Sequence, residues 1–268
     1  MSDLERQTRL AALRTRIADL ERRPALAETA APGAMAGGFP LAGPGVVHEV
    51  FADERRNGGA VLGFALGQAR GLLGGMRQAV VYLQMTADSQ EMGLPYGSGL
   101  QFFGFDAADL VLIRPANIAE LLWAAEEALG CGAVAAVVAD VAGQPKILDF
   151  TASRRLSMRA QSGGASVFLL RYGRWRESSA AQLRWHLAPL LSAPTPFDAR
   201  APGASRWSAR LEKGALGQGH GGEWILEWTE NGFRAEQSDR PGLDGTGRST
   251  ALSGAVPARL GDRLSQAG

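Results

Sequence analysis

The loop Ala52-Asp53-Glu54-Arg55-Arg56-Asn57-Gly58-Gly59 leads from an apolar strand into an apolar helical stretch. That is the setting in which a glycine-rich loop cradles phosphate. A working loop of this kind needs G-x-x-x-x-G-K-[ST]. Backbone amides wrap the phosphates, the lysine reaches the outer ones, and the hydroxyl holds Mg²⁺. Here Asp53, Glu54, Arg55, Arg56, Asn57, Gly58 and Gly59 supply two acids, no lysine and no hydroxyl. Lysine is scarce throughout. Of 28 basic residues only Lys146, between Pro145 and Ile147, and Lys213, between Glu212 and Gly214, are lysines, and neither stands in such a loop. Asp140 closes the apolar run Val134–Asp140, where a Mg²⁺-positioning acid would stand; beside a degenerate loop it also reads as a leftover strand-end acid.

Other motifs fail on context. Gly242–Ser249 fits G-x-x-x-x-G-R-S, but no apolar strand precedes it and no convincing helix follows. Gly217-x-Gly219-x-x-Gly222 falls in an expected hairpin. Ser98 has Tyr96 and Leu100 where a nucleophile elbow needs glycines. Glu126 and Glu127 are adjacent on a helix and point apart. His48 reads as a core or sheet-face histidine and Cys131 as a buried thiol. One cysteine and three histidines exclude an internal disulfide and a multi-cysteine metal site. No cofactor, metal or enzymatic centre is expected.

Basic and aromatic residues interleave more informatively. Arg171, Arg174, Trp175, Arg176 and Arg184 lie within about fifteen residues, with Tyr172 and Trp185 among them. Arginine pairs with phosphate and aromatic rings stack on bases, so this run is a candidate single-strand binding element. The rival reading is arginine drift in a GC-rich genome, with the tryptophans in the core. Arg154, Arg155 and Arg159 read as a solvated helix face.

The elements that must position these residues alternate along the chain. Strands are expected at Val46–Phe51, Ala79–Gln84, Leu110–Arg114, Val134–Asp140 and Ser166–Arg171, and helices at Ala60–Leu73, Asn117–Leu129 and Phe150–Gln161. Asn117 with Glu120 makes a capping-box pair. Continuous apolar strands alternating with helices argue an α/β fold, with a mostly parallel sheet buried on both faces. Antiparallel strands follow at Leu183–Pro189, Arg206–Lys213, Glu223–Thr229 and Gly232–Glu236. Ahead of this core, expected over 46–236, residues 1–23 read as an amphipathic helix. Leu10, Leu13, Ile17 and Leu20 share one face of it, which suits docking on a partner. Residues 24–45 read as an Ala/Gly/Pro linker and 237–268 as a disordered tail.

The chain has 268 residues and a net charge of +1, so no global field steers it toward nucleic acid and any such site must be local. No apolar run reaches the roughly 18–20 residues that span a bilayer, and the charged N-terminus does not read as a signal peptide. A cytoplasmic location without membrane association is expected.

The order of Val46-Val47-His48-Glu49-Val50-Phe51, Leu94–Asp106, Ala124–Leu129, Thr151–Leu156 and Trp224–Trp228 resembles the RecA-like ImuA family of damage-inducible mutagenesis proteins, found beside ImuB-type polymerases. The likeness runs from about residue 10 to 235. It implies a RecA-like core in which Asp53–Gly59 stands at the Walker A loop and Asp140 at the Walker B acid. Residues 172–182 fall where RecA has its second DNA-binding loop, here much shortened. It further implies a non-catalytic accessory role in SOS-induced, error-prone translesion synthesis in bacteria. The implied partners are an ImuB-type Y-family polymerase-like protein and an error-prone replicative-type DNA polymerase, with RecA and single-stranded DNA as further candidates. Two other readings stay open: a SulA-like cell-division inhibitor, and an ATPase with a degenerate phosphate loop.

Overall fold

The computed structural model describes residues 35–237, apart from residues 37, 193, 194, 196, 197, 199, 200, 217 and 218. The helix expected before Pro24 and the tail expected after Gln237 lie outside the described residues, as does the decoy loop at 242–249.

A small β1–β2 ladder, Met35–Ala36 with Phe39–Pro40, precedes the main sheet. Then come β3 (Val47–Ala52), α1 (Gly58–Arg70), β4 (Ala79–Gln84), α2 (Thr86–Met92), α3 (Gly97–Phe102) and β5 (Leu110–Ile113). The chain continues through α4 (Ile118–Leu129), β6 (Val134–Val141), α5 (Phe150–Gly163) and β7 (Ser166–Tyr172). It ends in β8 (Leu183–Leu190), β9 (Arg206–Leu216), β10 (Gly219–Thr229) and β11 (Gly232–Gln237). Among the described residues nine strands form one sheet in the order β11-β10-β9-β8-β3-β7-β6-β4-β5. The six from β8 to β5 are parallel, and β9, β10 and β11 extend the β8 edge antiparallel. This is the α/β architecture expected from the sequence. One detail differs: β8 pairs parallel with β3 and antiparallel with β9, so it closes the parallel set as well as opening the antiparallel one. The central strands β3 and β6 are buried on both faces, as their largely apolar runs require, whereas the edge strand β5 leaves Val111 and Leu112 exposed.

Side chains alternate between two apolar layers. On β7, Phe168 and Leu170 join the layer containing α1, while Val167 and Leu169 join the layer of α4 and α5. The second layer is aliphatic. The first is aromatic: Phe39, Phe64, Trp185, Trp224 and Phe233 pack with ring centroids 5.5–6.1 Å apart. Gly67 on α1 allows that approach, since a Cβ there would fall 2.6 Å from the Phe233 ring. No helix among the described residues is long and apolar enough to cross a membrane.

Two expectations need correction. Residues 38–45 are no free linker: Phe39 is fully buried, and Gln68 on α1 donates to the Pro40 carbonyl and accepts from the Ala42 amide at 2.7 Å. Burying a phenylalanine contributes roughly 1.5–3 kcal/mol, and its ring partners lie far along the chain, so local composition concealed it. Cys131 is exposed, because it follows the end of α4 in a surface turn.

Local signals set the helix ends. The Asn117 side chain accepts from the Glu120 amide at 3.0 Å; the Glu120 carboxylate reaches back to the Ala116 amide at 2.9 Å, one residue earlier than the expected box. Asp149 caps α5 by accepting from the Ala152 amide, and Gly164, at φ +73°, ends it.

Candidate functional site: a pocket at the carboxyl edge of the sheet

In a parallel sheet every strand delivers its carboxyl end to the same edge, where ligands are usually held. Register brings Ala52 beside Tyr172 and Gln84 beside Asp140 at that edge. The loop after β3 forms a 3-10 turn at Arg55–Asn57 and runs directly into α1 at Gly58. α2 and α3 supply the facing wall. Between them lies a pocket of about 290 Å³, apolar at Leu62, Leu66 and Phe103 and polar at Arg55, Gln84 and Asp140. That is the lower end of the size range for ligand sites.

Asp140 lies in this pocket, as its strand-end place suggested. The Tyr82 hydroxyl donates to its Oδ2 at 3.2 Å, and Tyr172 lies beside the same carboxyl group and favours its charged form. Burial pushes the Asp140 pKa above the usual carboxylate range, outweighing Tyr172, Tyr82 and Arg55, which favour the charged form. Both phenols are driven well above their ordinary value, first by burial and then by the Asp140 charge. The Arg55 guanidinium donates to Asp88 Oδ1 at 2.6 Å. Burial works against its charge, but Asp88, Glu91 and Asp140 outweigh that and hold it protonated.

These bonds leave a pattern behind. Asp140 Oδ1, Asp88 Oδ2 and Gln84 Oε1 are buried acceptors without a partner; Arg55 Nε is the corresponding donor. The site offers acceptors in excess. A phosphate would need the reverse. The Tyr172 hydroxyl also stands against the first turn of α1, where a Cβ on Gly58 would come within 3.2 Å of it. Among the described residues the one arginine lining the pocket, Arg55, is committed to Asp88. The residues present do not fit a magnesium nucleotide. Among the described residues there is also no cluster of three or more metal-ligating side chains.

The rest of the degenerate loop is engaged elsewhere. Asp53 faces His186 Nε2 at 3.1 Å and Arg174 at 3.7 Å. Glu54 and Arg56 pair with each other at the surface. Asn57 precedes α1 without a side-chain capping bond, and Gly59 opens onto the pocket.

The arginine–aromatic run is mostly structural. Arg171 is buried 3.9 Å from Glu49, and burial draws its pKa down against Glu49 and Glu177. Arg184 donates to Glu49 Oε2 at 2.8 Å, as does the Ser179 hydroxyl. Arg176 pairs with Glu212 at 2.7 Å and lies 4.0 Å over the Phe51 ring. Trp185 is fully buried. Of the candidate strand-binding set, only Arg174 and Trp175 project into solvent, Trp175 at 77% exposure. The reason is charge pairing: Glu49 and Glu212, distant in sequence, consume the other three. His48 is a core residue, as expected. It stacks on Phe168 at 4.6 Å, accepts from Trp185, and is lowered to about 3 by burial. Arg155 on the solvated face pairs with Glu126 at 3.0 Å.

Sequence reasoning missed Tyr82, Gln84, Asp88 and Tyr172. For the strand residues Tyr82, Gln84 and Tyr172 the available signal was a polar residue near the carboxyl end of an otherwise apolar buried strand, the rule that did single out Asp140; Asp88, on α2, carried no such signal.

No family model matches the chain. Two curated sequences named Protein ImuA, from two strains of Caulobacter vibrioides, are each 36% identical to it over 208 residues, covering 73% of this chain and 79% of theirs. Among solved structures, that of the RadB recombinase matches with a TM-score of 0.46 at 14% identity, over 73% of this chain and 92% of that one. The extent and identity of the sequence match decide the assignment: the chain belongs to the ImuA family.

Proposed function

We propose that this protein is a non-catalytic accessory factor of damage-induced, error-prone DNA synthesis, working through protein partners rather than by turning over nucleotide. The observation that carries this reading is the converted loop. Where a phosphate site needs a free cation, Arg55 is bonded to Asp88, and Asp140 and Gln84 present unpartnered acceptors. Membership of the ImuA family supports the biological setting. The partners under this reading are an ImuB-type Y-family polymerase-like protein and an error-prone replicative-type polymerase, with RecA as a third. Contact with single-stranded DNA falls to the exposed pair Arg174 and Trp175, a footprint too small for tight binding alone. The setting is bacterial and cytoplasmic.

The experiment is a pull-down from damaged cells with the full chain as bait, followed by reconstitution with purified ImuB-type protein. Direct, stoichiometric capture is expected, together with loss of damage-induced mutation when the gene is deleted. A chain that captures neither polymerase, and whose deletion leaves damage-induced mutation unchanged, contradicts the proposal.

A further inference from the structure

The pocket that no longer suits phosphate has a definite chemistry of its own. Gln84 is 2% exposed and its Oε1 is unpartnered. Asp140 Oδ1 and, behind Arg55, Asp88 Oδ2 are likewise buried without donors. Buried acceptors left unmet are costly, so the site is poised for a donor-rich, positively charged group. The walls are apolar and aromatic, with Phe103 and Tyr172 lining the cavity. At the mouth, Met92, Leu94 and Tyr96 are 42%, 48% and 76% exposed, an uncovered apolar rim. A guanidinium fits this combination better than an ammonium ion: it is planar, carries five donors, is weakly hydrated, and stacks on aromatic faces.

We infer that this pocket is a socket for an arginine side chain presented by a partner protein, with apolar neighbours of that arginine seated on the Met92–Tyr96 rim. The rim favours a polypeptide source over a free small guanidine, which would leave it uncovered. The inference rests on the reading that the site has lost nucleotide, and it names what the site took in exchange.

The test is calorimetry on the full chain with three probes: a blocked Leu-Arg-Leu peptide, the same peptide with citrulline in place of arginine, and agmatine. Saturable binding of the arginine peptide is expected, weakened about tenfold or more in the neutral citrulline peptide, as loss of a charge-assisted bond requires. Agmatine should bind more weakly than the arginine peptide. Asp140→Asn should weaken the arginine peptide. So should Gly99→Trp, which fills open space at the pocket wall without touching a charge. Equal binding of the citrulline peptide, agmatine as tight as the peptide, displacement by MgCl₂ alone, or no saturable binding overturns the inference. Displacement by ATP overturns it together with the loss of nucleotide; failure of the peptide with ATP also silent overturns the socket alone.

Discussion

Two charged clusters sit in one sheet and are built on opposite principles. Around Glu49, at β3 and β8, three arginines, a serine and two further carboxylates are knitted together. Arg184 and Ser179 bond Glu49, Arg176 bonds Glu212, and the guanidinium groups of Arg171, Arg176 and Arg184 lie over the Phe51 ring. Arg171 Nε alone among its buried polar atoms lacks a partner. Around Asp140, at β4 and β6, three buried acceptors go unmet beside an open pocket. The first cluster closes on itself and serves the fold. The second is left open toward something else. Buried charge in the sheet is therefore no guide to function by itself; what separates the clusters is whether their hydrogen bonds are complete.

The largest effect should come from breaking the closed cluster. Glu49→Ala strands Arg171 and Arg184, which are 4% and 12% exposed at the side chain. Removing one partner of a buried pair costs about 3–5 kcal/mol, so denaturant midpoints should fall sharply. A loss under about 1 kcal/mol would mean the cluster is not the fold's clamp.

The open cluster should respond in the other direction. Asp140 has a raised pKa in the folded state. Its charge therefore works against folding, and the penalty grows as pH rises from the ordinary carboxylate value through the raised one. Asp140→Asn should match the wild type at acid pH and equal or exceed it in stability at neutral pH, measured by chemical denaturation across that window. A variant that is less stable at neutral pH than at acid pH, relative to wild type, would place Asp140 in the closed class.

The smallest effect is expected at the surface between the clusters. Replacing Arg174 and Trp175 by alanine should change stability by no more than about 0.5 kcal/mol. In a fluorescence titration with oligonucleotide, the same double variant should lose whatever single-strand binding the chain has. Binding that survives it would move the nucleic-acid surface elsewhere.

Much of the fold was legible in the sequence because its signals are local. Apolar runs marked β3, β4, β6 and β7 nearly to the residue, and Asn117 marked the start of a helix. The carboxyl-edge rule found Asp53–Gly59 and Asp140. Pairing across the sheet was not legible. Nothing near Phe39 shows that Phe233 and Trp224 will enclose it, and nothing near Arg171 shows that Glu49 will neutralise it. Tyr172 was read with the arginine run, but its hydroxyl turns inward to Asp140 and α1. Such contacts join residues from about thirty to nearly two hundred positions apart, and composition carries no record of them.

Where a phosphate site would stand, the carboxyl edge of the sheet holds an acceptor-lined pocket. The direct measurement is equilibrium dialysis of the full chain against magnesium ATP, with Asp140→Asn run alongside. No saturable uptake is predicted for the wild type, because Arg55 is held by Asp88 and the pocket presents unpartnered acceptors at Asp140 and Gln84. Saturable micromolar binding, equivalent to about 8 kcal/mol, would contradict it and return the site to the nucleotide-binding class.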